Sequence, residues 1–112
     1  MIEKVLLDYL NGALEVPVYM EESKEEKPGS YVLIEKTGSR KRNRISQATF
    51  ALQSYAGSLY DAAALNEEVK AAMEDAVMLS EISRAALVSD YNFTDKEKKR
   101  YRYQAVYDIT HY

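Results

Sequence analysis

The chain has 112 residues, of which 46% are hydrophobic and 29% charged, with a formal net charge of −3 and a pI near 5.2. That length suits one compact domain around a single core, and the acidic balance excludes global charge as a drive toward nucleic acid, so only a local patch could serve. The absence of cysteine excludes a disulfide framework, a thiol nucleophile and a thiolate-held metal, and the apolar runs fall far short of the roughly 20 residues that a membrane span needs.

The first segment, MIEKVLLDYLNG, carries acids inside its apolar pattern, so it does not read as a secretory signal. Ile2, Val5, Leu6, Tyr9, Leu10 and Ala13 recur at three- and four-residue spacing, which predicts a short helix with Gly12 as its terminator. In LEVPVYM, Leu14, Val16, Val18 and Met20 alternate with Glu15, Pro17 and Tyr19, predicting a strand. Pro17 assigns it to a sheet edge or a strand start, because proline cannot donate to a ladder. EESKEEKPGS then reads as a charged loop closed by a Pro-Gly turn.

YVLIEKTG is a second predicted strand, followed by the loop SRKRN and a long third strand, RISQATFALQSYA. On that strand Ala48, Phe50 and Leu52 share one face, and Gln47, Thr49 and Gln53 the other. Gly57 and Ser58 stop it, and Ser58 with Asp61 has the spacing of a capping box. SLYDAAALNEEVKAAMEDAVML predicts a helix of some twenty residues, with Leu59, Ala62, Ala63, Leu65, Val69, Ala72, Met73, Ala76 and Val77 on its apolar face. Its alanines favour the helix intrinsically and allow close approach to a sheet.

Ile82–Val88 suits a fourth strand, with a helix as the alternative, and DYNFTDKEKK reads as a polar turn. RYRYQAVYDITHY alternates strictly: Tyr101, Tyr103, Ala105, Tyr107, Ile109 and His111 face one way, and Arg100, Arg102, Gln104, Val106, Asp108 and Thr110 the other. The expected domain is therefore α+β, in the order α-β-β-β-α-β-β, with a mostly antiparallel sheet and two helices on one face. The rings of the last strand are expected to face the core. Its arginines would then face solvent or a neighbouring subunit, so rings and charges could not jointly clamp a nucleic-acid strand.

Few residues suggest chemistry. His111 is the sole histidine, glycines are scattered at 12, 29, 38 and 57, and no Asp/Glu/His cluster has metal-ligand spacing. The acids of the long helix read as a solvated face, partly offset by Lys70. No catalytic residue, metal or cofactor is expected. The local charge concentration is Arg40, Lys41, Arg42 and Arg44, a tip able to reach a phosphate backbone or an acidic protein surface. The alternative reading is a small nucleic-acid-binding module that uses this loop with Arg100, Arg102 and nearby tyrosines. Ten tyrosines favour assembly instead, because the ring buries area while the hydroxyl stays satisfied.

ATFALQSYAGSLYDAAALNEEVKAAMED and the ending SDYNFTDKEKKRYRYQAVYDITHY, with the order of elements, resemble small tail-completion proteins of tailed phages and prophages. These are the tail terminator and head–tail joining proteins of long-tailed, non-contractile phages. The resemblance implies a structural virion protein of the tail or neck, present in the host cytoplasm during assembly. It implies a ring, a hexamer on the tail, that caps the tail tube and stops its polymerisation. The ring would offer a surface to the head–tail connector, with DNA only as passing cargo. In such a ring the tip Arg40–Arg44 would contact a neighbouring subunit or the tail tube protein.

Overall fold

A computed structural model describes residues 1–21 and 29–112. Its order is that expected: α1 (Ile2–Ala13), β1 (Val18–Tyr19), β2 (Tyr31–Arg42), β3 (Ile45–Ala56), α2 (Leu59–Glu74), a 3₁₀ turn (Ala76–Met78), β4 (Ile82–Asn92) and β5 (Tyr101–His111). The strands form one sheet in the order β1-β2-β3-β5-β4, antiparallel except for β1 against β2.

Both helices pack on one face. Ile2, Leu6 and Leu10 of α1 and Leu65, Val69 and Met73 of α2 close over Val32, Ile34, Phe50, Leu52, Ala105 and Ile109 of the sheet. Each helix presents its three- and four-residue repeat to the sheet, and each strand presents alternate residues to the helices. Ser58 caps α2 by accepting a hydrogen bond from the Asp61 amide (3.1 Å), the backbone half of the capping box.

Four expectations are corrected. Only Val18 and Tyr19 of the 14–20 segment pair with β2, in parallel (Val18↔Val32, Tyr19↔Leu33). Leu14 and Val16 pack against the core from a bent connection rather than a strand, and the Asn11 side chain supplies both hydrogen bonds of the Val18 backbone (2.9 and 3.2 Å). The α-helix of α2 ends at Glu74, where the backbone tightens to bonds from Asp75 N–H to Ala72 O and from Met78 N–H to Asp75 O. That turn keeps Ala76 buried but leaves Val77 46% and Met78 84% exposed, so Val77 leaves the predicted apolar face, and Leu59 at the other end is also exposed.

The segment SRKRN is strand as far as Arg42; the turn is Asn43–Arg44, both with positive φ (50° and 66°), closed by the Arg42↔Ile45 pair. Two positive φ values give the twist of a type I′ hairpin. Finally, β4 runs on through Asp90 to Asn92, which shortens the predicted polar turn 90–99. Ile82–Val88 is strand, not helix. The predicted loop 21–30 lies outside the described residues over 22–28.

Candidate interaction surfaces

Glu35–Ile45 are exposed on both faces because β1 pairs only with Val32 and Leu33, which leaves the outer half of β2 as a sheet edge with no strand beside it among the described residues. This edge and the Asn43–Arg44 turn form an exposed arm, while β3 alongside stays paired with β5 as far as Ser46. The molecule is elongated, 44 × 26 × 25 Å, along its eleven- and twelve-residue strands. A bulge between Lys36 and Gly38 sets which way the arm's charges point. Val32, Ile34 and Lys36 face the helices, and unbroken alternation would send Arg40 and Arg42 the same way. The extra residue, Thr37, reverses the parity. Arg40 and Arg42 therefore lie opposite Gln47 and Ile45 on the open face of the sheet, away from the helices, while Lys41, opposite Ser46, takes the helix side.

Lys36 anchors the root of the arm through an ion pair with Glu3 of α1 (3.0 Å). The Lys36 hydrogen bond holds the Glu3 carboxyl below its ordinary value. Further out, Arg40 donates to the Gln47 amide oxygen, and among the described residues no carboxylate is within ion-pair distance of Arg40, Lys41, Arg42 or Arg44. Arg40, Lys41, Arg42, Asn43, Ile45 and Gln47 line a cleft of about 600 Å³ at the tip.

Arg100 and Arg102 are not brought to this tip. Arg40 pairs with Gln47 and Arg102 with Tyr55, so the two groups are separated by the length of β3 from Gln47 to Tyr55, roughly 27 Å at the rise of an extended strand. Within β5 the rings and charges do keep to opposite faces, with Tyr107 in the core and Arg102 on the open face. The expectation that the arginines face only solvent or a neighbouring subunit is corrected: Arg100 and Arg102 meet rings from β2 and β3. Arg100 donates to the Tyr31 hydroxyl (2.8 Å) and lies 4.9 Å from the centre of the Tyr55 ring. Arg102 donates to the Tyr55 hydroxyl (2.7 Å) and to the Phe93 carbonyl (2.6 Å), and its guanidinium lies 4.3 Å from the Phe93 ring.

Tyr31 and Tyr55 stack at 4.7 Å with their planes nearly parallel, and both are buried. The Tyr55 hydroxyl donates in turn to Gln53, and the Gln53 amide to Gln104, which bonds Tyr91. This network crosses four strands, β2, β3, β5 and β4. Tyr31 and Tyr55, buried and stacked on each other, offer no free face for a base, while Tyr91 and Phe93 at the rim of the cluster are each 41% exposed.

A third polar group ties α2 to β4. Lys70 donates to Asp90 (2.5 Å) and pairs with Glu67 (2.8 Å), and the buried Asn66 amide donates to the other Asp90 oxygen (2.6 Å). The hydrogen bond to Asp90, followed by that to Glu67, pushes the Lys70 ammonium well above the ordinary lysine value. Its raised value means that this stabilisation is complete below the ordinary lysine pKa and fades as pH rises beyond it. Burial raises the Tyr107 hydroxyl. Lys70 was read from the sequence as an offset to the helix acids, and its pair with Glu67 is local, whereas the bonds of Lys70 and Asn66 to Asp90 join residues distant along the chain.

His111 is half-buried near the root of the arm, with Nδ1 3.2 Å from the Tyr112 carbonyl oxygen. Among the described residues, no group of three or more His, Asp or Glu side chains could hold a metal ion, and no helix is long and apolar enough to cross a membrane. No family model matches the sequence, and a search of curated proteins returns no match.

Proposed function

We propose that this chain is a ring-forming structural subunit of the phage tail-completion kind. In this reading it caps a tail tube, presents a surface to the head–tail connector, and lets DNA pass without reading its sequence. It works by geometry rather than by catalysis: one patch of each copy binds a different patch of the next, and rotation closes the ring.

The observation that carries the reading is the exposed arm. The outer half of β2 and the turn after it are exposed on both faces, with no strand beside that edge and no acidic partner for the basic tip among the described residues. Such an element gains its contacts from another molecule. By contrast, a nucleic-acid module built from both arginine groups would have to span the length of β3, and the rings that Arg100 and Arg102 bond, Tyr31 and Tyr55, are already buried.

The test is to replace Arg40, Lys41, Arg42 and Arg44 together by Ser. The expected result is an unchanged thermal melt with loss of rings or of capped tail-tube ends in negative-stain electron micrographs. A wild-type chain that neither forms rings nor binds tube ends would defeat the reading. In that case, salt-dependent binding of a labelled oligonucleotide would favour the nucleic-acid module instead.

A further inference from the structure

Resting on the ring reading, we infer that the basic arm tip of one copy docks on the end of α2 in the next copy, against Val77 and Met78 and the acids around them. The first support is chemical complementarity. The tip displays exposed Ile45 (54%) among Arg40, Arg42 and Arg44, and the other surface displays exposed Val77 and Met78 among Glu74, Asp75 and Glu81. Each patch is a small apolar centre ringed by charge of one sign, and the two signs are opposite. Such an arrangement fixes orientation and speeds encounter.

The second support is a local cost at each patch. Glu74 and Asp75 occupy the C-terminal end of α2, where the helix dipole favours cations, and no basic residue lies in the last turn. Lys70, one turn earlier, is committed to Asp90 and Glu67. At the tip, Arg44 has φ 66° in a turn position that glycine fills more easily. A cation delivered to the end of α2 offsets the first cost and gives the strained arginine something to bind.

The third support is placement. Ser46 at the root of the tip pairs with His111, and His111 with Ile82, so the arm and the start of β4 lie at the same end of the sheet. They lie toward opposite lateral sides of it, because β2 is next to one edge strand and β4 is the other edge. Two complementary patches at one height and on opposite sides are what a head-to-tail contact requires.

Cysteine trapping tests this, since the chain has no cysteine of its own. Asn43→Cys and Ser80→Cys are made in separate full-length chains, which keeps every proposed contact residue, and the chains are mixed under mild oxidation. The expected result is that the mixed disulfide forms faster than either homodimer and more slowly as salt rises. Reversing Arg40, Arg42 and Arg44 to Glu, or Glu74, Asp75 and Glu81 to Lys, should slow trapping about tenfold or more, and combining the two reversals should restore it. Thermal melts check that each variant folds. Rings that form without preferred trapping would overturn this contact and leave the ring reading standing. Preferred trapping without any ring on tube ends would overturn the ring reading and leave the contact.

Discussion

The two arginine-rich ends of the sheet use the same side chain in opposite ways. At one end, Arg100 and Arg102 bond tyrosine hydroxyls and lie against the Tyr55 ring. Their neighbours Tyr31 and Tyr55 are buried and stacked. At the other end, Arg42 and Arg44 project from an arm exposed on both faces. Guanidinium groups covered by rings and held by hydrogen bonds belong to the fold. Those displayed on an arm contribute little to the fold and are available to a partner. Sequence proximity to tyrosine does not separate the two cases; strand register does.

The comparison is broken most severely at Tyr55. Tyr55→Ala removes the ring stacked on Tyr31 and the hydroxyl that joins Arg102 to Gln53. Urea unfolding should show a loss of about 3–5 kcal/mol, the range for deleting a large buried aromatic. A loss below about 1 kcal/mol would mean that the cluster is ornamental to stability.

Next in size is Arg102→Met, which keeps an apolar stem beside Phe93 but leaves the Phe93 carbonyl and the Tyr55 hydroxyl without their donor. The expected cost is about 1–2 kcal/mol. The matched change on the arm, Arg42→Met, should shift stability by no more than about 0.5 kcal/mol. Equal effects at 42 and 102 would erase the distinction between the two ends.

Much of the fold was legible because local signals agreed with tertiary packing. The alanine-rich repeat between Leu59 and Met73 and the alternation from Tyr101 to His111 each describe one element facing one core. The arm was not legible as strand. Beyond Glu35 both faces are exposed, so no apolar alternation remains in SRKRN, and its turn carries Asn43–Arg44 without the glycine that usually marks a tight hairpin. Likewise Asp90 and Asn92 look like turn residues, yet β4 continues through them, with Asp90 held by Asn66 and Lys70. The basic tip was legible as a charge concentration. Its direction was not, because the bulge at Thr37 leaves no mark in composition. The contacts of Arg100 and Arg102 with Tyr31 and Tyr55 depend on pairing across β2, β3 and β5, which no single-strand pattern contains.

A stabilising change gives the sharpest distinction between fold and partner at the arm. Arg44 holds a left-handed backbone conformation that costs an ordinary L-residue about 1–2 kcal/mol, and glycine in its place has no Cβ to clash. Part of that relief is offset by the greater freedom of glycine in the unfolded chain. Arg44→Gly should therefore raise stability by about 0.5–1 kcal/mol, measured by urea unfolding. If the tip serves a partner, the same variant should weaken association between copies, because it removes one of the charges on the tip. Opposite signs for folding and association would identify Arg44 as a residue kept at the expense of its own turn. A gain in both would place the binding energy elsewhere on the arm.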